Sequence, residues 1–150
     1  MSAAQPCHWP IRSFPVIDDC VQIGGMPLTR LAARVGQTPF YAYDRRLLDE
    51  RVALVRRTLP AAIDLHYAVK ANPMPALVQH LAQRVDGLDV ASLGELRIAL
   101  DTGMDPARIS FAGPGKRPVE LAAALAAGIV INLESARELE IVAQQGREPG

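Results

Sequence analysis

Lys70 is the residue of this chain whose setting points most directly to chemistry. It ends the segment LHYAVK, residues 65–70, an apolar stretch with strand character that is followed closely by Asn72 and Pro73. A lysine so placed would project from the carboxyl end of a strand, where parallel α/β barrels carry their catalytic groups. An amine shielded from water can form a Schiff base with a carbonyl compound or with pyridoxal phosphate. A lysine that ends a strand is most often a solvated surface residue, so its position alone makes Lys70 a candidate for such chemistry.

Side-chain alternation along two neighbouring strands predicts which groups accompany this amine. His66, Ala68 and Lys70 share one face of the first strand, while Asp89 and Ala91 share one face of the second. Successive strand residues point to opposite sides, so the larger apolar residues between them would face the helices. The small and polar residues would point inward. A carboxylate there would favour the ammonium form of the lysine and counteract the desolvation that lowers its pKa.

A regular alternation of strands and helices positions these groups. From residue 64 onward the pattern predicts four β/α units of roughly twenty residues each. The strands are predicted at residues 65–69, 88–91, 109–112 and 129–133, and the helices at 75–84, 94–102, 118–127 and 135–145. The same assignment points Ser110 and Asn132 inward. Such α/β units suit an open doubly wound sheet or a closed eight-unit barrel of about 250 residues, and the inward side chains favour the barrel.

The two ends of the chain are less regular. Short strands are predicted at residues 21–23 and 40–43, and short helices at 29–35 and from the cap residue Asp44 to Pro60. Residues 147–150 look like the approach to a further strand. We therefore interpret the sequence as a fragment, or a truncated coding sequence, of a longer protein.

Composition and charge restrict the classes of function. The 150 residues are 49% hydrophobic and 21% charged, with a net charge of zero. Clustered cations and stacking aromatic residues are missing, which argues against nucleic-acid binding. Cys7 and Cys20 are too far apart for a CxxC site, so no metal site is predicted. Without a secretory apolar region or a run long enough to span a bilayer, the sequence predicts a cytoplasmic enzyme without a membrane partner.

Four motifs follow one another along the chain at compatible spacing. They are TPFYAYD at residues 38–44, HYAVKANP at 66–73, GLDVASLGEL at 87–96 and ISFAGPGK at 109–116. Together they resemble the N-terminal half of the pyridoxal phosphate-dependent decarboxylases of diaminopimelate, ornithine and arginine, which share an alanine-racemase-like barrel. The resemblance covers residues 23–145. Residues 23–44 further resemble the branch associated with bacterial exosortase systems.

This resemblance implies the domains, the site and the assembly. Residues 1–45 would contribute to a β-rich domain, and residues 46–150 would form the first half of a (β/α)8 barrel that binds pyridoxal 5'-phosphate. Lys70 would hold the cofactor as an internal aldimine, Asp89 would line the pocket, and Ala68 would let the ring lie close to the strand. The cofactor would act as the electron sink for decarboxylation of an amino-acid substrate. The full-length protein would be a homodimer.

The remaining parts of the family's site lie beyond Gly150, so we predict that these residues alone do not turn over substrate. An alanine racemase would share the barrel and the lysine, but its motif continues as VKANAYGHG, whereas Pro73, Met74 and Pro75 follow here. A noncatalytic binding or regulatory relative is the third alternative, and the retained Lys70 argues against it.

Other polar residues have simpler interpretations. His66 is expected to be a packed inward histidine, and Glu95 to place charge at a helix N-terminus. The GPGK segment, residues 113–116, lacks the full phosphate-loop spacing and is predicted to be a tight turn.

Overall fold

The computed structural model describes residues 13–146, so Cys7, His8 and the predicted strand approach at 147–150 lie outside the described residues. The chain divides into two compact units, residues 1–53 and 54–150. Within the described part, no helix has both the length and the apolar character that crossing a bilayer would require.

The first unit contains a small antiparallel sheet. Its strands, in spatial order, are β1 (Val16–Ile17), β2 (Cys20–Ile23) and β3 (Met26–Pro27). Two-residue turns join them: Asp18 and Asp19 have φ values of 50° and 56°, and Gly24 and Gly25 have 59° and 75°. Positive φ at both central residues is typical of the type I′ turn, whose twist matches that of the strands it connects.

Two helices follow, α1 (Leu28–Val35) and α2 (Arg45–Thr58). The predicted cap of α2 is confirmed, because Asp44 Oδ1 accepts a hydrogen bond from the backbone N–H of Arg46 at 2.9 Å. The other carboxylate oxygen of Asp44 accepts from the backbone N–H of Gly24 at 3.1 Å. One carboxylate therefore serves both the helix start and the turn between β2 and β3.

The strand predicted at residues 40–43 is not formed. None of the strands among residues 13–146 pairs with this segment, and Tyr41 is 90% exposed. The segment has the aromatic and apolar residues that favour strands, but a strand is stable only when a neighbour takes up its backbone hydrogen bonds.

The second unit repeats strand and helix in the predicted order. Its strands are β4 (His66–Ala68), β5 (Gly87–Val90), β6 (Ile109–Phe111) and β7 (Val130–Ile131). Its helices are α3 (Pro75–Ala82), α4 (Leu93–Leu100), α5 (Pro118–Ala127) and α6 (Ala136–Gln145). The four strands are parallel and neighbour one another in chain order. The predicted α/β class is confirmed.

The core lies between this sheet and its helices. Leu88, Val90, Ile109 and Phe111 are at most 1% exposed and pack with buried residues of the helices. Burial of each such side chain stabilises the fold by about 1.5–3 kcal/mol. The residues that alternate with them, including Asp89, lie on the opposite and more open face. The predicted division of the strand faces is confirmed, and it leaves small and polar groups on one side of the sheet.

Candidate functional site

Lys70 lies two residues beyond the end of a strand. β4 ends at Ala68, and Val69–Ala71 form a 3-10 turn. The prediction that the strand extends through residue 69 is therefore wrong. The backbone N–H of Asn72 donates to the carbonyl oxygen of Val69 at 3.1 Å, which closes the turn. The chain leaves the ladder here because the turn must lead into α3, which starts at Pro75.

Side chains on either side hold this turn. The hydroxyl of Tyr67 donates to the carbonyl oxygen of Asn72 at 3.1 Å, and Asn72 Oδ1 accepts from the backbone N–H of Met74 at 3.1 Å. Val69 is fully buried beneath the turn. Lys70 itself is exposed, so the shielding from water that was expected for its amine is not found among the described residues. The backbone that carries the amine is therefore fixed, while the amine is accessible.

A cavity of about 190 Å³ opens beside this amine. Its lining residues come from the carboxyl ends of the four parallel strands and the turns after them: Ala68, Lys70, Asp89, Val90, Ala91, Ala112, Gly113 and Asn132. The three residues predicted for the site, Lys70, Asp89 and Ala68, are thus brought together. Complete small-molecule sites typically measure ~300–1,000 Å³, so the cavity corresponds to part of such a site.

Asp89 is engaged by two neighbouring strands. Its Oδ1 accepts a hydrogen bond from the hydroxyl of Ser110, and it lies 3.5 Å from Nδ1 of His66. Among the described residues, Asp89 and Lys70 form no ion pair. The contact expected between this carboxylate and the amine is therefore replaced by a row from His66 through Asp89 to Ser110. Parallel register explains the row, since Ala68 pairs with Asp89 and Asp89 pairs with Ser110.

Gly87 makes room for the histidine of this row. A Cβ atom at residue 87 would lie 2.5 Å from the backbone carbonyl oxygen of Arg108 and 2.5 Å from Cε1 of His66. Backbone cannot move away as a flexible side chain can, so this position accepts only glycine without a shift of the sheet. His66 contacts the Asp89 carboxylate, but the residue is exposed, so the expected packing of this histidine is not found.

The two lysines of the chain are in opposite environments. Lys70 and Lys116 are the only lysines in the sequence. The side chain of Lys116 is 2% exposed and donates from Nζ to Glu138 Oε2 at 2.9 Å, whereas Lys70 is exposed at the cavity. A reagent for amines should therefore distinguish them.

Carboxylates hold the turns between strands and helices. Glu95 accepts from the backbone N–H of Ala91 at 2.9 Å, so its predicted place at a helix N-terminus is confirmed. Glu120, on α5, accepts from the backbone N–H of Leu93 at 3.2 Å. The Leu93 N–H is the first of α4, where the helix supplies no partner of its own, and the Ala91 N–H lies just before the cap residue Ser92.

The GPGK segment is a tight turn, as predicted, and its lysine is structural. Gly113 and Gly115 have φ values of 118° and 71°, which a residue with a side chain rarely adopts. Lys116 Nζ donates back to the carbonyl oxygen of Gly113 at 2.8 Å. The turn is thus closed by its own lysine.

Glu138 forms the ion pair with Lys116, and its side chain is buried. Its carboxylate accepts from the backbone N–H of Glu134 at 2.9 Å and from that of Lys116 at 3.1 Å, in addition to the Nζ bond. The backbone N–H of Glu134 and the Lys116 ammonium together lower the pKa of Glu138. Ser135 caps α6 as predicted, by accepting from the N–H of Glu138 at 3.2 Å. The sequence analysis did not anticipate the Lys116–Glu138 pair.

Glu120 makes the stability of the second unit depend on pH. Its hydrogen bonds with the side chain and backbone of Arg117, and with the backbone N–H of Leu93, lower its pKa from 4.5 to about 2. The ionised carboxylate therefore stabilises the fold above pH 4.5, and this contribution is lost as the pH falls toward about 2.

We expect Glu120→Gln to flatten the acid limb of the stability curve. Between these pKa values the unfolded chain holds a proton on Glu120 that the folded chain lacks, so the variant should take up about one proton fewer on unfolding near pH 3. Urea titrations of the free energy of unfolding against pH measure this slope. Glu140→Gln, on the exposed face of α6, is the matched control and should keep the wild-type slope; equal slopes in all three proteins would contradict the assignment.

The cavity provides the groups that an aldehyde cofactor with an aromatic ring would need. It presents a primary amine from Lys70 and a carboxylate from Asp89. The alanine and glycine residues on the adjoining strand ends leave space for a flat ring close to the backbone. The residues present therefore fit the ring and aldehyde of pyridoxal phosphate.

Comparison with known families identifies a match over most of the chain. The family described as "Pyridoxal-dependent decarboxylase, pyridoxal binding domain" matches residues 45–149. The match includes Lys70, Asp89 and the turn at Gly113.

Comparison with individual proteins points to the same family. The chain is 39% identical to the diaminopimelate decarboxylase of Zymomonas mobilis over 83% of its own length and 30% of the relative's. It is 40% identical to that of Aquifex aeolicus over 80% and 28% of the two lengths. A crystal structure of Helicobacter pylori diaminopimelate decarboxylase complexed with L-lysine has a TM-score of 0.70 and 32% identity, over 79% and 31%. The chain thus spans about 30% of the length of the curated relatives it matches.

Proposed function

Since the chain belongs to the pyridoxal-dependent decarboxylases, we propose that it supplies the lysine-bearing part of the cofactor site of an amino-acid decarboxylase. Residues 46–150 form the first half of the barrel on this proposal, and residues 1–45 contribute to a β-rich domain. Lys70 is the residue that holds pyridoxal 5'-phosphate.

One observation carries this proposal. Of the two lysines in the sequence, one is sealed in a buried ion pair and the other opens into the cavity at the strand ends. An exposed amine on a fixed turn is available to a carbonyl group, whereas an ammonium held by a carboxylate and a carbonyl oxygen is not. Lys70 is therefore the side-chain amine that can do the chemistry.

The neighbouring residues have distinct parts in the proposed site. Lys70 Nζ would hold the aldehyde end of the cofactor. The carboxylate of Asp89, held by Ser110 and His66, lines the pocket and keeps a negative charge near the cofactor. Ala68 leaves room for the ring. When bound, pyridoxal phosphate supplies the electron sink for loss of the substrate carboxylate.

Diaminopimelate is the substrate we propose. The two curated relatives and the solved structure described above are all diaminopimelate decarboxylases, and the structure holds L-lysine, the product expected when diaminopimelate loses one carboxylate. Homodimeric assembly, cytoplasmic location and the narrower exosortase-associated branch stay predictions that rest on the family resemblance.

Covalent capture of the cofactor tests the role of Lys70. The chain is incubated with pyridoxal 5'-phosphate, whose aldehyde carbon joins the amine nitrogen with loss of one water, and borohydride then supplies the hydride that makes the bond permanent. Peptide mapping by mass spectrometry locates the added mass. We expect it on Lys70 and not on Lys116; labelling of Lys116 alone, or of neither lysine, would overturn the proposal.

The reaction is tested separately in the complete gene product that contains these residues. With meso-diaminopimelate as substrate we expect release of carbon dioxide and formation of L-lysine. Racemisation of alanine without carbon dioxide would identify the racemase alternative. Capture without turnover of any amino acid would identify a noncatalytic relative.

A further inference from the structure

The glycine in the wall of the Lys70 cavity is held at both of its backbone polar groups. The N–H of Gly113 donates to Glu134 Oε1 at 2.6 Å, and its carbonyl oxygen accepts from Lys116 Nζ at 2.8 Å. Gly113 lines the cavity together with Lys70, and its φ of 118° is a conformation that a residue with a side chain rarely adopts. Its position therefore depends on these two side chains.

The lysine of this arrangement is itself fixed by a buried ion pair. The side chains of Lys116 and Glu138 are 2% and 3% exposed. Glu138 also accepts from the backbone N–H of Glu134, which places the backbone of the residue that holds the Gly113 N–H. The three charged residues thus form one network, which hydrogen-bonds both the N–H and the carbonyl oxygen of Gly113.

We propose that Lys116, Glu138 and Glu134 are positioning residues for the cofactor pocket, which deepens the proposed function and rests on it. The network holds Gly113 at a fixed distance from the strand that carries Asp89, and a Cβ at residue 113 would already be 3.9 Å from that of Ala91. The wall beside Lys70 is thereby kept in the shape that admits the cofactor ring. None of the three residues is itself among those that line the cavity.

One double variant distinguishes a purely structural role of the Lys116–Glu138 pair from a positioning role. Lys116→Met combined with Glu138→Gln removes both buried charges, and the glutamine keeps a side-chain oxygen that can accept from the backbone N–H groups of Lys116 and Glu134. The double variant also removes the donor to the Gly113 carbonyl. A structural role predicts that the double variant regains both stability and cofactor capture, whereas a positioning role predicts stability without capture.

Glu134→Ala provides a second test that does not depend on the buried charges. Glu134 is exposed, so its replacement should leave the unfolding midpoint unchanged while removing the acceptor of the Gly113 N–H. Glu140→Ala, on exposed surface of α6, is the matched control.

Two measurements on the 150-residue chain decide the proposal. For Glu134→Ala and the double variant we expect faster amide hydrogen exchange at Gly113, and a concentration of pyridoxal 5'-phosphate for half-maximal capture at Lys70 raised about tenfold, as small displacements in a site can do. Unchanged exchange or unchanged capture in both variants would overturn the positioning role while leaving the proposed function intact. A wild-type chain that captures no cofactor would instead overturn the proposed function, and exchange at Gly113 would still report on the network.

Discussion

Lys70→Arg is expected to reduce pyridoxal phosphate capture to the background of the chain's α-amine, and to reduce decarboxylation in the complete gene product on the order of 10³-fold or more. Arginine keeps the positive charge and similar reach, but its guanidinium does not lose a proton in proteins and cannot condense with an aldehyde as an amine does. Lys70 is exposed, so the unfolding midpoint should not change. Borohydride trapping followed by mass spectrometry measures the loss.

A lysine placed elsewhere is the control for this substitution. Arg97→Lys puts an amine on an exposed position of α4, outside the cavity. If exposure alone were enough, this variant would capture the cofactor at residue 97 as readily as at Lys70. Such a result, or retained capture in Lys70→Arg at any residue other than the amino terminus, would contradict a specific site.

Lys116→Met alone is expected to lower the free energy of unfolding by about 3–5 kcal/mol, because it leaves the buried carboxylate of Glu138 without its counter-charge. The same substitution together with Glu138→Gln should recover most of this loss, since no buried charge then remains and the glutamine keeps an oxygen that accepts from the backbone. Urea denaturation of the wild type, the two single variants and the double variant gives the coupling between the residues.

A cost of the double variant equal to the sum of the two single costs would contradict this account, because additive costs would show that the two side chains contribute independently. The measurement should be made near neutral pH. Both the backbone N–H of Glu134 and the Lys116 ammonium lower the pKa of Glu138, so acid protonates this carboxylate only below its ordinary range and weakens the pair there.

The sequence was sufficient for the elements whose pattern is local. The alternation of Leu88 and Val90 with Asp89 indicated a strand with one buried face, and glycines and prolines marked the helix ends. Both features depend on residues within a few positions of each other. The order of the parallel strands followed from the repeated β/α unit. The candidate site could be predicted for the same reason, since parallel strand ends meet at one edge.

What could not be predicted depends on contacts between distant residues. Residues 40–43 have strand-like side chains, but whether a partner strand lies beside them cannot be read from the segment itself. Asp89 was expected to accompany the amine of Lys70, yet the register of three strands gives it Ser110 and His66 as neighbours. Lys116 and Glu138 lie 22 residues apart. A lysine in a glycine turn and a glutamate in a helix's first turn each have an ordinary local explanation.

The hydrogen bonds that carboxylates form with the strand-to-helix turns also affect folding during translation. The turn at Leu93 is completed by a residue 27 positions later, and the turn at Gly113 by one 21 positions later. A ribosome delivers these partners only after the turns themselves have emerged, so a nascent chain that stops before Glu134 must leave the wall of the cavity unfinished. Lys70 is therefore synthesised before the wall of its cavity can be completed. A cofactor molecule that reached the nascent chain early would meet a half-formed pocket.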